Sequence, residues 1–210
     1  MIEHRFLIAG ARGGQGTTTV ATVIAAFAAR HRQTTLVSTR PDDVCALTGT
    51  LTPPKWFSPT LICPNMSVAA ARQPADSSGD HSGQDDASVV VSDLGRLSDL
   101  SDDQAGHHHA DACRWLVVRG PCYVSLRAAI DHPWRPDGIV LLVEPGRPLS
   151  GADVTDVLGA PIVAQVPVEA AVARAIDAGL LLARLDRLSA FLGLSRLLRS
   201  HPGAEATTTR

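Results

Sequence analysis

Aromatic residues are scarce, at 4% of 210 positions, while alanine, valine, leucine and arginine are plentiful. Such a bias follows GC-rich coding and carries little mechanism. Neither sign of charge is in excess: the formal net charge is -2. Nothing general therefore favours a nucleic-acid partner. The four cysteines, Cys45, Cys63, Cys113 and Cys122, form no C-x-x-C pair and no zinc spacing. They read as reduced core thiols of a cytoplasmic protein. No apolar run is long enough to span a bilayer. The first apolar run is too short, and the glycines follow it too soon, for a signal peptide. No internal repeat is present. With 45% hydrophobic residues, the chain can build one α/β domain with a real core.

What is present is concentrated near the start. Phe6-Leu7-Ile8-Ala9 is an apolar run, Gly10 to Thr19 is rich in glycine and threonine, and Val20 to Ala29 is rich in alanine. The order is strand, glycine turn, helix, which is the context in which a glycine loop holds phosphate. Glycines reach positive φ without a Cβ penalty and let backbone approach a ligand. Successive N–H groups then converge at the positive end of the following helix. The alternative is a tight strand-to-helix turn with no ligand.

Arg12-Gly13-Gly14-Gln15-Gly16-Thr17-Thr18-Thr19 resembles the deviant Walker A motif, KGGxGKTT, of the ParA/MinD family of P-loop ATPases. The resemblance implies that Arg12 stands for the signature lysine, which reaches across a dimer to the partner's nucleotide. It puts Gly13, Gly14 and Gly16 on the motif's glycines and Thr18 on the magnesium-ligating hydroxyl. The departure is Thr17, where the family has its P-loop lysine. Ala87 to Gly95 resembles a Walker B strand, with Asp93 as the magnesium-shell aspartate and Gly95 opening a switch segment. The resemblance thus implies ATP or another nucleotide with Mg2+. It would be bound by Arg12, Gly13, Gly14, Gln15, Gly16, Thr17, Thr18 and Thr19, with Thr18 and Asp93 on the metal. A second departure falls at Ser38-Thr39-Arg40, where the family's second strand ends in aspartates that position water. Asp42 and Asp43 come only after Pro41 and read instead as the acidic first turn of a helix.

The remaining chain alternates strand and helix. Strands are expected at Arg5 to Ala9, Thr35 to Thr39, Ala87 to Asp93, Trp115 to Gly120, Gly138 to Glu144 and Pro161 to Pro167. Helices are expected at Thr17 to His31, with Thr17 or Thr18 near the N-cap, at Tyr123 to Ile130, at Ala152 to Leu158 and around Val172 to Gly179. Residues 48–86 look irregular because Pro53, Pro54, Pro59, Pro64 and Pro74 interrupt them. Trp56 and Phe57 read as a loop anchor, residues 72–87 as a mobile polar loop, and the histidines of residues 101–111 as solvated rather than metal-binding. Leu180 to Arg199 reads as one amphipathic helix, with Leu181, Leu185, Leu188 and Leu192 in register. It is expected to cover the sheet. The alternative, implied by MinD proteins, is a basic membrane-surface helix that would make the protein peripheral at the inner membrane. Residues 201–210 read as a disordered tail.

The expected fold is one doubly wound, mainly parallel sheet with helices on both faces, over residues 1–200. By resemblance Val166-Pro167-Val168 would lie near the nucleotide base. Two function classes stay open, with a homodimer expected and the protein partner unnamed. One is a pseudo-ATPase, kept as a dimerising or partner-binding scaffold in partition, septum, pilus or secretion machinery. The other is an active ATP-dependent dimerisation switch. A kinase or ligase on this fold lacks a second substrate motif.

Overall fold

The alternation of buried runs with amphipathic segments is realised as one sheet with helices on each side. The structure, a computed structural model, describes residues 4–51, 59–71, 88–100 and 112–200. Trp56, Phe57, the polar stretch 72–87, the histidine stretch 101–111 and the tail 201–210 lie outside these residues.

Among the described residues, eight strands run in the order β3-β4-β2-β5-β1-β6-β7-β8. They are β1 His4–Gly10, β2 Thr34–Ser38, β3 Thr60–Cys63, β4 Met66–Ala70, β5 Val89–Arg96, β6 Ala112–Arg119, β7 Gly138–Val143 and β8 Ile162–Pro167. Every pairing is parallel except that of β3 with β4. The central strands are continuous β-branched or aliphatic runs because both faces are covered.

On one face lie α1 (Thr17–Ala28), α2 (Pro41–Thr48), α5 (Ala170–Asp177), α6 (Leu181–Arg184) and α7 (Leu192–Ser200). They bury Val20, Ile24, Leu36, Val91, Leu181 and Phe191 in one core. On the other face α3 (Tyr123–Asp131) and α4 (Gly151–Leu158) close over Leu116, Val118, Leu126, Ile139 and Val154. α2 opens with Pro41, Asp42 and Asp43 in its first turn, as the sequence suggests.

Two expectations are corrected. The region read as irregular contains the β3–β4 hairpin. Pro64 and Asn65 form its two-residue turn, and Asn65 takes φ 64°. A fixed proline φ followed by a left-handed residue is the pattern of a type II turn, so Pro64 shapes the hairpin instead of breaking it. The C-terminal segment is not one helix. α6 gives way to 3-10 turns at Leu185–Arg187 and Ser189–Phe191 before α7 begins. Leu188, at φ -95° and ψ 90°, breaks the helical path. The break lets Leu181, Leu185, Leu188, Phe191, Leu194 and Leu198 all reach the core, while Leu192 is left exposed. Gly193 packs so closely on β8 that a methyl group there would stand 2.9 Å from the Gln165 carbonyl oxygen. The apolar side is therefore occupied by the sheet. Among the described residues no helix is long and apolar enough to cross a membrane.

Candidate functional site

β1 and its two neighbours place the glycine loop. β5 flanks β1 on one side, with Ile8 opposite Asp93, and β6 flanks it on the other, with Gly10 opposite Val117. The loop leaves β1 at its carboxyl end and is anchored by the Ala11 N–H, which donates to the Val117 carbonyl at 3.0 Å. The chain then turns through Gly14 at φ 74° and Gly16 at φ 83° into α1. Both values lie in the left-handed region that glycine alone enters cheaply. The side-chain carbonyl of Gln15 accepts the backbone N–H of Arg119 at 2.5 Å and ties the loop to the end of β6. α1 and α3 leave their strands for opposite faces of the sheet, so the loop sits at the crevice where ligands bind in such folds.

The N-cap differs from the expectation at Thr17 or Thr18. It is Gly16, and no side chain caps α1. No acidic residue lies in its first turn. The first N–H groups of the helix thus keep their capacity for an external acceptor, and the helix dipole favours an anion there.

Thr17 is the buried member of the loop, at 7% exposure, whereas Arg12, Gly13 and Gly14 are exposed. Its hydroxyl turns back under the loop, so that a Cβ on Gly10 would fall 2.3 Å from Oγ1. Gly10 is required by this close approach. Where the resemblance implies a lysine reaching into the phosphate site, this chain has a short side chain packed against the end of β1. Thr18 lies near Asp93, and its hydroxyl acts on the carboxyl to lower its pKa. Asp93, 1% exposed, accepts from the Ser38 hydroxyl at 2.8 Å and from the Gly95 N–H at 3.2 Å. Burial pushes the Asp93 carboxyl above its ordinary pKa, and Ser38, Thr18 and Gly95 oppose that shift. Thr19 follows in the first turn of α1, half-buried.

Ser38 stands opposite Asp93 in the β2–β5 register and is fully buried. Sequence reasoning saw in it only the loss of a carboxylate. The structure makes it the hydroxyl that orients Asp93, with the Arg40 N–H donating to Ser38 Oγ at 3.0 Å. Cross-strand register was the missing signal. Also missed is a charged cluster beside the loop. Glu144 accepts from Arg147 and, at 2.7 Å, from Arg119, and these cations hold its carboxyl below the ordinary range. Cys122 sits at the N-terminus of α3. Its thiol is lowered chiefly by hydrogen bonds with Ser125, with a smaller contribution from Arg12. Cys45 is a buried core thiol and Cys63 and Cys113 pack half-buried against the core, as read, whereas half-buried Cys122 is placed in neither core cluster.

The donor set suits a phosphate group with a divalent cation in part. Glycines with positive φ, an uncapped helix and a hydroxyl–carboxylate pair are those an anion and its metal would need. Where the resemblance implies an in-cis lysine and second-strand carboxylates, this chain has Thr17 and Ser38-Thr39-Arg40. Among the described residues no group of three or more His, Cys, Asp or Glu could hold a metal ion. Thr18 and Asp93 would therefore leave most of the coordination shell to phosphate and water.

This combination of crevice, loop and sheet order is the ParA/MinD P-loop fold, and solved structures bear it out. MinD in the MinC:MinD cell division complex of Aquifex aeolicus matches with TM-score 0.73 and 15% identity, over 99% of this chain and 98% of that one. The septum site-determining protein MinD with Mg-ADP from Pyrococcus horikoshii gives TM-score 0.73 at 15% identity, over 97% and 99%. A ParA family ATPase from Chlorobium tepidum gives 0.71 at 15% identity, over 93% and 96%. No family model and no curated protein matches the sequence. At this identity the likeness establishes the fold.

Proposed function

We propose that this chain is a ParA/MinD-like P-loop protein that binds ATP or a related nucleotide with Mg2+ on Arg12 to Thr19. Thr18 and Asp93 serve the metal, and the nucleotide acts mainly as a structural ligand. The protein would be a homodimeric, pseudo-ATPase scaffold in spatial organisation, such as partition, septum, pilus or secretion machinery. The observation that carries this reading is the nearness of the Thr18 hydroxyl to Asp93 beside a loop whose helix is uncapped, while Thr17 is buried beneath it. Binding parts are retained, while the loop itself carries Thr17 in place of a lysine on the β- and γ-phosphates. The solved relatives in fold include one carrying Mg-ADP and one in complex with MinC, which supports a nucleotide and a protein partner.

A charge-assisted phosphate contact is worth about 1.5–3 kcal/mol, or roughly tenfold to a hundredfold in affinity. Wild type should bind Mg-ATP weakly, and Thr17→Lys should tighten it by about that factor. Isothermal calorimetry measures both. No binding by either protein would refute the nucleotide reading. The active switch is favoured by one feature, the exposed Arg12 on intact glycines, since a guanidinium can grip phosphate across a dimer.

A further inference from the structure

Thr17 deprives the loop of its in-cis cation, yet two guanidinium groups flank the loop's outer side. We propose that Arg96 supplies the missing charge, binding the terminal phosphate of a nucleoside triphosphate seated on Gly13 to Thr18. This rests on the nucleotide-binding reading above and adds the residue that makes it workable without a lysine.

Arg96 is the last residue of β5, three positions after Asp93. Gly95, at φ 73°, turns the strand end as it passes the loop. One terminal nitrogen of Arg96, Nη1, lies 4.0 Å from where a Cβ on Gly13 would stand, with no side chain between them on Gly13 itself. Arg12, Gly13, Arg96 and Ser98 line one cleft of about 480 Å³ beside the loop. The only carboxylate lining that cleft among the described residues is Asp131, which Arg127 already holds at 2.8 Å. The cleft therefore carries two guanidinium groups beside loop glycines, a chemistry suited to a polyphosphate.

The present partner of Arg96 fits this role. Nε sits 2.7 Å from both carboxylate oxygens of Asp99, and the pair is about half exposed, at 53% and 48%. Such exposed pairs are weakly held. The contact uses the Nε edge, so Asp99 can aim the guanidinium while Nη1 stays on the side of the loop. The first sequence motif past Asp93 thus supplies a cation on the strand next to β1, whereas the family pattern supplies it from the helix after β1.

Calorimetry with Mg-ATP and Mg-ADP tests this in wild type, Arg96→Ala, Asp99→Ala and Thr17→Lys/Arg96→Ala. Arg96→Ala should weaken ATP by about tenfold to a hundredfold, with a much smaller change for ADP. Its melting temperature should match wild type, because the side chain is exposed. Asp99→Ala should alter ATP affinity by less than about threefold, the scale of an exposed pair. The added lysine should restore what Arg96→Ala loses. Equal ATP affinity in wild type and Arg96→Ala would overturn the proposal. So would equal losses for ATP and ADP, or a loss in Asp99→Ala as large as in Arg96→Ala, which would mark a structural pair. A wild type that binds neither nucleotide refutes the underlying reading and this inference with it. A wild type that binds ATP unaffected by Arg96→Ala removes Arg96 alone.

Discussion

Gly10 shows how tightly one residue controls the site. Its missing side chain leaves room for Thr17 Oγ1, which would otherwise stand 2.3 Å from a Cβ. Gly10→Ala must push Thr17 outward or lift the loop, and overpacking of this kind costs about 1–3 kcal/mol. Chemical denaturation should register that loss, and Thr17→Ala in the same chain should recover most of it by removing the hydroxyl. Additive losses would mean that the clash is not with Thr17. The same contact explains why Thr17 does not mimic a lysine. Its hydroxyl is directed into the protein, and only a longer side chain could emerge from beneath the loop. None of this is visible in a motif match, which reports residue type at a spacing and not the direction in which a side chain leaves.

At the scale of elements, strands and helices were legible where hydrophobic period and length agreed. β7 and α3 lie within a residue of expectation, whereas β5 runs three residues past Asp93 to end at Arg96. The β3–β4 hairpin was not legible, because Pro64 signals a break and a turn equally well until its partner strand is known. The C-terminal leucines were misread for a related reason. Their spacing suits one helix, but Gly193 must meet β8 and Leu188 must leave the helical path for both ends to bury their leucines. Two consequences can be measured. Leu194, fully buried, should cost about 2–5 kcal/mol on replacement by alanine, and anionic vesicles should not float the intact protein. Salt-sensitive flotation would argue that the segment leaves the sheet.

The start of β6 gives a pH-dependent contact. Burial raises the Asp137 carboxyl, but the Arg114 guanidinium and the Arg114 N–H, at 2.9 Å, more than offset it, so the carboxyl lies below its ordinary 3.8. A depressed carboxylate stabilises the fold above its unfolded pKa and loses that contribution as pH falls through the folded value. With side chains 24% and 46% exposed, the pair is screened and worth about 0.5–1 kcal/mol. Asp137→Asn should lower stability by that amount at pH 7. The difference from wild type should shrink as pH drops below 3.8. A constant difference across that range would assign the loss to packing.

At the scale of the whole molecule, the question is whether the fold turns over nucleotide. Phosphoryl transfer depends on positioning and on electrostatic stabilisation at the γ-phosphate. Under the proposed reading two groups that would supply these are lacking: Thr17 is neutral and buried, and the strand end Ser38-Thr39-Arg40 offers no carboxylate to orient water, Ser38 instead donating to Asp93. Arg96 and Arg12 can add positive charge from the cleft, but neither can act as the carboxylate that aligns water. Losing one preorganised group costs about a hundredfold to a thousandfold in rate. If the arginines restore the charge, the missing carboxylate still leaves turnover depressed by about that factor. If they do not, turnover falls near background. The purified protein should therefore show negligible ATP hydrolysis at saturating Mg-ATP, in wild type and in Thr17→Lys alike, because the lysine restores affinity and leaves water unaligned. Phosphate release measured over hours, with Asp93→Ala as the blank, decides it. Steady release that Asp93→Ala abolishes would make the protein an active switch, with a water-positioning group that the strand ends do not reveal. A burst of activity only in Thr17→Lys would show that charge alone was limiting.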